Sequence, residues 1–216
     1  EDCLYKLYNA NKCGTYRVCE QDIAKRALRN VCLSYLAFTD LGEKLVKTHY
    51  DQANNMTDTL AALSAATKAE LECRDELLAD FEAKWYQDGL VMDKWFALQA
   101  TRPDEDVLNV VQGLLNHRSF NFNNPNRVRA VVGAFASQNP KAFHNIDGSG
   151  YRFLVDMLIK LNDSNPQVAS RLIEPLIKLS RYDGQRQTLM RRGLERLKGL
   201  DNLARDLFEK IDKSLQ

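Results

Sequence analysis

Residues 123–183 read NNPNRVRAVVGAFASQNPKAFHNIDGSGYRFLVDMLIKLNDSNPQVASRLIEPLIKLSRYD, and this stretch decides the fold. It contains three Asn-Pro dipeptides, which are Asn124-Pro125, Asn139-Pro140 and Asn165-Pro166. Asn favours the N-cap of a helix because its side-chain oxygen accepts a backbone N–H that has no partner within the helix. Pro suits the first helical position because its missing N–H is not needed there. The three dipeptides therefore predict three helix starts.

Apolar residues recur with helical spacing after two of these starts. One set is Val128, Val131, Val132 and Phe135; the other is Val168, Leu172, Leu176 and Leu179. Between the two sets, Asp147-Gly148-Ser149-Gly150 predicts a turn that needs positive φ at glycine and caps the helix starting near Tyr151. The same spacing recurs elsewhere and predicts roughly eleven helices in short antiparallel pairs.

The sequence therefore predicts an all-α fold, because no stretch alternates as a β-strand does. The lengths of successive helix pairs favour an α-solenoid of antiparallel pairs, an armadillo- or HEAT-like superhelix. We expect residues 1–20 to be a linker or a connection from a preceding domain, and residues 21–216 to form a single all-helical, repeat-like domain. At the start of that domain one apolar helix face is formed by Ala24, Ala27, Leu28, Val31 and Tyr35.

Composition excludes several classes of protein. The net charge is +1 over 216 residues, which argues against a duplex nucleic acid partner. The acidic stretch 56–106 and the basic stretch 181–200 are typical of solvated helix faces with local salt bridges. The five cysteines form no Cys-x-x-Cys pair and indicate reduced thiols in a cytoplasmic protein. The chain starts without Met and contains no apolar run that could span a membrane, which favours a fragment of a longer, non-membrane protein.

Catalytic motifs are absent from the sequence. There is no His-Glu-x-x-His, no Gly-x-Ser-x-Gly and no phosphate-binding glycine loop. The three histidines, His49, His117 and His144, are far apart in sequence, and such isolated histidines are typically surface or capping residues. His144 is expected to pack against the turn that follows it. The sequence thus predicts no catalytic residue, no metal ligand and no cofactor in this chain.

The stretch quoted above, together with Leu197-Lys198-Gly199-Leu200 and residues 207–211 (LFEKI), resembles the C-terminal helical domain of the bacterial aminopeptidase N family. These enzymes are zinc-dependent gluzincin aminopeptidases. The resemblance extends over residues 80–216, and more loosely over the first 80. It implies that this chain is the last part of a large multidomain enzyme whose zinc and His-Glu-x-x-His motif lie in another domain.

Two arginines next to apolar stripes are the candidate site residues. From the pattern alone, Arg129 and Arg171 would extend to the surface and form salt bridges. The resemblance implies instead that the helical domain closes over the zinc site and forms a chamber that admits peptides but not folded proteins. Arginines in the matching segments would face that chamber, and a guanidinium can donate two parallel hydrogen bonds to a peptide carboxylate. We therefore expect Arg129 and Arg171 to bind substrate, with Arg127 a weaker candidate.

Two functions remain open at this point. In the first, the chain is a non-catalytic domain that docks on the catalytic domain of the same polypeptide, restricts access to its active site and contacts the downstream part of peptide substrates. In the second, it is an independent helical-repeat scaffold that binds a partner protein. An RNA-binding groove is disfavoured because the basic residues lack interleaved aromatic residues for base stacking.

Overall fold

The computed structural model describes residues 1–216, and every regular element in it is helical. The predicted all-α class is therefore confirmed, whereas the superhelical arrangement of the pairs stays a prediction. The helices group into two compact units: the first unit is Glu1–Leu98 and the second unit is Gln99–Gln216. No helix is both long enough and apolar enough to cross a bilayer.

The first unit is built from six helices around a core that includes Leu33, Leu63 and Phe81, all fully buried. The helices are α1 (Asp2–Ala10), α2 (Glu20–Leu36), α3 (Gly42–Gln52), α4 (Met56–Lys68), α5 (Arg74–Trp85) and α6 (Gly89–Ala100), the last of which ends just beyond the unit. Asn55 caps α4 by accepting a hydrogen bond from the backbone N–H of Asp58 at 3.0 Å. Asn is among the residues that most favour this position.

Helix α1 lies within residues 1–20, which the sequence predicts to be a linker or a connection from a preceding domain. It packs against α2 and buries one residue, Tyr8. The division into a connection at 1–20 and one domain at 21–216 stays a prediction.

Helix α2 turns its apolar face away from the rest of the first unit. Leu28, Val31 and Tyr35 are 42%, 52% and 64% exposed. The opposite side, which carries Arg29 and Leu33, faces α1, α3 and α4. The predicted apolar face therefore exists but is not covered by any part of the first unit.

The second unit contains both longer helices and short helical turns that link them. In chain order its helical elements are α7 (Val107–Leu114), α8 (Pro125–Val128), a π-helical turn (Arg129–Gly133), α9 (Ala134–Gln138), α10 (Pro140–Phe143), α11 (Ser149–Ser164), α12 (Pro166–Leu172), α13 (Glu174–Ile177), a 3₁₀ turn (Leu179–Arg181), α14 (Gly184–Lys198) and α15 (Arg205–Leu215). Helix α11 packs against α12 and α14, and α15 packs against the same two helices. The π-helical turn contacts both α7 and α12.

All three predicted Asn-Pro helix starts are present. Asn124, Asn139 and Asn165 cap α8, α10 and α12, and each side-chain oxygen accepts a backbone N–H of the helix it starts. The predicted turn before α11 is also confirmed, with Gly148 at φ +70°. Gly150 is needed for a different reason, because a Cβ there would lie 2.3 Å from the carbonyl oxygen of Phe143.

Candidate functional site

The first candidate residue, Arg129, opens the π-helical turn. Its neighbours Val128 and Ala130 are buried, whereas Arg129 itself is exposed. Its Nη1 donates to the side-chain oxygen of Asn126 at 2.8 Å, and no carboxylate lies within 4.0 Å of the guanidinium. Single π-helical turns inside α-helices occur frequently at functional sites. The local geometry thus presents an arginine whose charge is not neutralised.

The second candidate residue, Arg171, is exposed on α12 between buried Ser170 and Leu172. The nearest acidic residue in sequence is Glu174, but Glu174 is paired with Lys210, whose Nζ lies 2.5 Å from its Oε1. Arg171 has no ion pair of its own. The surface salt bridges that the pattern alone suggested for Arg129 and Arg171 are therefore not formed.

A contact between the π-helical turn and α12 brings the segments that carry the two arginines together. A Cβ at Gly133 would lie 3.1 Å from Cδ2 of Leu172 and 3.6 Å from Cβ of Arg129. Because Gly133 has no side chain, Leu172 packs closely against the π-helical turn. Arg129 lies one turn before Gly133 on the same segment. Because Arg171 adjoins Leu172, two uncompensated arginines occupy neighbouring helices of the second unit.

Arg127 lies in the same segment but in different surroundings. It is only 5% exposed, in contrast to Arg129 two residues later. A guanidinium buried to this extent is less accessible to an incoming peptide than that of Arg129. As a candidate for contact with a peptide, Arg127 remains weaker than Arg129 and Arg171.

The three histidines lie in separate environments. His144 is held between two tyrosines, with Oη of Tyr151 2.9 Å from Nδ1 and Oη of Tyr182 2.8 Å from Nε2. Burial, together with the charge of Arg186, lowers the pKa of His144 below its usual value. His144 therefore packs inside the second unit, but its partners are Tyr151 and Tyr182 and not the turn that follows it.

The side chains of this chain do not fit a metal site. No group of three or more His, Cys, Asp or Glu residues is arranged to hold a metal ion. All five cysteines are free thiols, and two of them, Cys32 and Cys73, are buried. Burial is the main cause that raises the pKa of the Cys73 thiol to about 12, so this cysteine is not a reactive thiolate.

Two structural features near candidate sites were not predicted from the sequence. The π-helical turn was one, and its only sequence signal is Gly133, a glycine within an otherwise regular apolar stripe. The other is a polar cluster inside the first unit, where Tyr8, Arg29 and His49 contact one another. The sequence gives no signal for that cluster, because an arginine such as Arg29 on the polar side of a helix looks the same in sequence whether it is buried or exposed.

Comparison with known proteins identifies the family to which this chain is related. The family model described as "Domain of unknown function (DUF3458_C) ARM repeats" matches residues 1–216. Aminopeptidase N of Haemophilus influenzae is 66% identical over the whole of this chain, and aminopeptidase N of Escherichia coli is 62% identical over 99% of it. In both cases the chain spans 25% of the relative's length.

A solved structure supports the same assignment. The crystal structure of Legionella pneumophila aminopeptidase A in complex with aspartic acid superposes with a TM-score of 0.87 at 29% identity. The match covers 98% of this chain and 26% of that one. From the family match over its full length, this chain belongs to the DUF3458_C family of ARM repeats and represents a C-terminal domain of bacterial aminopeptidase N.

Proposed function

We propose that this chain is the non-catalytic C-terminal domain of a zinc aminopeptidase. It docks on the catalytic domain of the same polypeptide, restricts access to the active site and contacts the downstream part of peptide substrates. The single observation that carries the proposal is the exposed pair Arg129 and Arg171, which lie on adjoining helices without a carboxylate partner. Zinc and the catalytic groups belong to the remainder of the polypeptide.

The chemistry of the arginines suits a peptide carboxylate. A guanidinium stays charged at every physiological pH and donates two parallel hydrogen bonds to a carboxylate. Since no acid of the second unit neutralises Arg129 or Arg171, both can pair with an incoming anion without first breaking a salt bridge. Their role is to hold the carboxyl-terminal end of a short peptide while its amino terminus is processed elsewhere.

The apolar face of α2 supports docking within one polypeptide. Val31 and Tyr35 are each more than half exposed on this face, and Phe38, just beyond the helix, is 68% exposed. An apolar face of this kind on a soluble helical unit marks a contact surface. Because the chain spans 25% of the length of its curated relatives, the occupant that fits is the remaining part of the same polypeptide.

The first expected result concerns catalysis. The isolated chain should not hydrolyse aminoacyl-amide reporters, because none of its side chains forms a nucleophile–base pair or a metal site. The measurement is reporter hydrolysis across successive purification steps, alongside the full-length enzyme. Activity that follows the chain through every column at constant specific activity would refute the non-catalytic assignment.

The second expected result concerns docking. Val31→Asp and Tyr35→Asp place a charge on the apolar face of α2 and should each weaken binding to the separately expressed remainder of the polypeptide by about tenfold or more. Gln87→Asp, an exposed substitution in the turn after α5, is the matched control and should bind normally. Pull-down followed by calorimetry gives the affinities.

The outcome of that experiment also separates the two functions left open by the sequence. If the wild-type chain does not bind the remainder of the polypeptide, or if both α2 variants bind it as tightly as the wild type does, docking through α2 is refuted. An independent scaffold would then be the better reading of the fold.

A further inference from the structure

A second cationic site lies in the first unit, next to the polar cluster of Tyr8, Arg29 and His49. Helices α1, α2 and α3 enclose a pocket of about 290 Å³. Three cationic side chains line it: Lys12, Arg29 and Lys44. No aspartate or glutamate is among its lining residues. A pocket with three cations and no acid has a strongly positive potential and attracts anions.

Arg29 is the unusual member of this set. It is only 9% exposed, and its Nη2 donates to the hydroxyl of Tyr8 at 3.0 Å while the guanidinium lies over the Tyr8 ring, 4.5 Å from the centroid. Its Nε has no hydrogen-bond acceptor. A buried charge is costly unless it is paired, and here the protein provides no carboxylate to pair with it.

Asp58, the acid that lies beside His49, does not pair with Arg29. Asp58 is held by the side-chain amides of Asn30 and Asn55, each at 2.9 Å. It therefore belongs to a separate network around the start of α4. The guanidinium of Arg29 is thus left without a carboxylate partner next to an open pocket.

The rim of the pocket completes the site. Lys12 reaches across from α1 to α3, where its Nζ donates to Oε1 of Gln52 at 3.0 Å. Lys44, on α3, is exposed and has no acid partner. Thr48 and Asn9 add neutral polar groups to the lining. The lining can thus donate hydrogen bonds to an anion from several directions, but it has no acid to receive an ammonium group.

We propose that this pocket binds a compact oxyanion, a phosphate or carboxylate group on a ligand that carries no ammonium. Arg29 supplies the buried charge at the base of the site, and Lys12 and Lys44 supply charge at the rim. A planar guanidinium and two ammonium groups match the geometry of such an oxyanion, and charge-assisted hydrogen bonds of this kind are about twice as strong as neutral ones. The site is independent of the arginines of the second unit and does not depend on the function proposed above.

The experiment measures binding of inorganic phosphate to the natural full-length protein by ³¹P NMR line broadening. Succinate competes as a carboxylate probe, and glycine serves as the zwitterionic contrast. We expect saturable phosphate binding that succinate displaces and that glycine displaces at least about ten times less effectively, because the pocket lacks an acid for its ammonium group.

Three variants locate the binding. Arg29→Gln should weaken phosphate binding about tenfold or more, and Lys44→Gln about threefold, since the buried charge contributes more than the exposed one. Lys6→Gln removes an exposed charge from α1 outside the pocket lining and should leave binding unchanged. Lys44 lies on the surface, so its variant keeps the test decisive if Arg29→Gln fails to fold.

Any one of four results would overturn the proposal. The first two are an absence of saturable phosphate binding, and equal binding by the wild type and both pocket variants. The other two are an equal loss of binding in Lys6→Gln, and displacement of phosphate by glycine as effectively as by succinate. Loss of binding in Arg29→Gln and Lys44→Gln, with peptide hydrolysis retained, would establish a site separate from the substrate contacts.

Discussion

Replacing Arg129 or Arg171 with alanine in the full-length enzyme is expected to raise KM for tri- and tetrapeptides about 10- to 150-fold and to leave kcat nearly unchanged. A charge-assisted bidentate contact that is partly shielded from water contributes roughly 1.5–3 kcal/mol, which gives this range. If the contact holds the peptide equally well in the ground state and the transition state, its loss appears in KM alone.

The comparison substrate is a one-residue aminoacyl reporter. Such a reporter has no downstream peptide and no carboxylate that could reach the second unit, so its KM should not change in either variant. Arg129→Lys and Arg171→Lys should recover only part of the peptide affinity, because an ammonium group lacks the planar fork of a guanidinium. Arg192→Ala, at an exposed arginine on α14, is the matched control and should behave as the wild type.

Two other outcomes would contradict the assignment in different ways. Equal losses on the reporter and on the peptides would mean that the arginines stabilise a domain interface and do not contact substrate. No loss on either substrate would leave Arg129 and Arg171 as solvated surface residues. A double variant adds information, because two arginines that bind the same carboxylate should give non-additive effects.

The helix starts and apolar stripes of the second unit could be predicted from sequence because both depend on local chemistry. The caps formed by Asn124, Asn139 and Asn165 need only the residue itself and the first helical turn. The stripe Val128, Val131, Val132 and Phe135 is fully buried, as its spacing predicts. Local and tertiary preferences agree in these segments.

The π-helical turn could not be predicted, because it leaves that stripe intact. A π-turn adds one residue to a single turn, and the apolar residues on either side stay buried, so the period carries no trace of it. The packing of the two segments that carry Arg129 and Arg171 likewise depends on the contact between Gly133 and Leu172. That contact joins residues far apart in sequence and cannot be derived from either segment alone.

Helix α2 shows a further limit of periodicity. Its apolar face is clear in the sequence, yet the first unit covers the opposite side. A hydrophobic period identifies an amphipathic helix but does not say which partner covers the apolar face. On the covered side polar residues are accommodated by specific partners, as in the pairs Arg17–Asp22 and Arg29–Tyr8.

The second large effect is a loss of stability that is expected when the pH is lowered. Lowering the pH from 7 to 4.5 should reduce the free energy of unfolding of the first unit by roughly 2 kcal/mol through His49 alone. Burial is the main cause that lowers the pKa of His49 from 6.5 to about 4, and the charge of Arg29 lowers it further. Between pH 4 and pH 6.5 the folded state therefore binds fewer protons than the unfolded state. The stabilisation is fully present above pH 6.5 and is lost as the pH falls toward 4.

The contacts of His49 explain why the neutral ring is favoured. The hydroxyl of Tyr8 accepts a hydrogen bond from Arg29 and directs its own hydrogen to Nδ1 of His49, 2.8 Å away. Protonation of Nδ1 would reverse that bond, so that the Tyr8 hydroxyl would have to accept from both Arg29 and His49, and it would place a second positive charge near Arg29. The only nearby acid, Asp58, lies with its Oδ1 4.0 Å from Nε2, too far for a hydrogen bond.

Denaturant titrations followed by tryptophan fluorescence can test this prediction on the correct unit, because both tryptophans, Trp85 and Trp95, lie in residues 1–98. The comparison is the wild type against His49→Gln, which keeps an acceptor for Tyr8 but does not titrate. Carboxylates contribute equally to both proteins, so the variant should lose roughly 2 kcal/mol less than the wild type over the same pH range. Equal losses would show that protonated His49 is stabilised by closing onto Asp58, and that its burial does not limit the acid stability of the first unit.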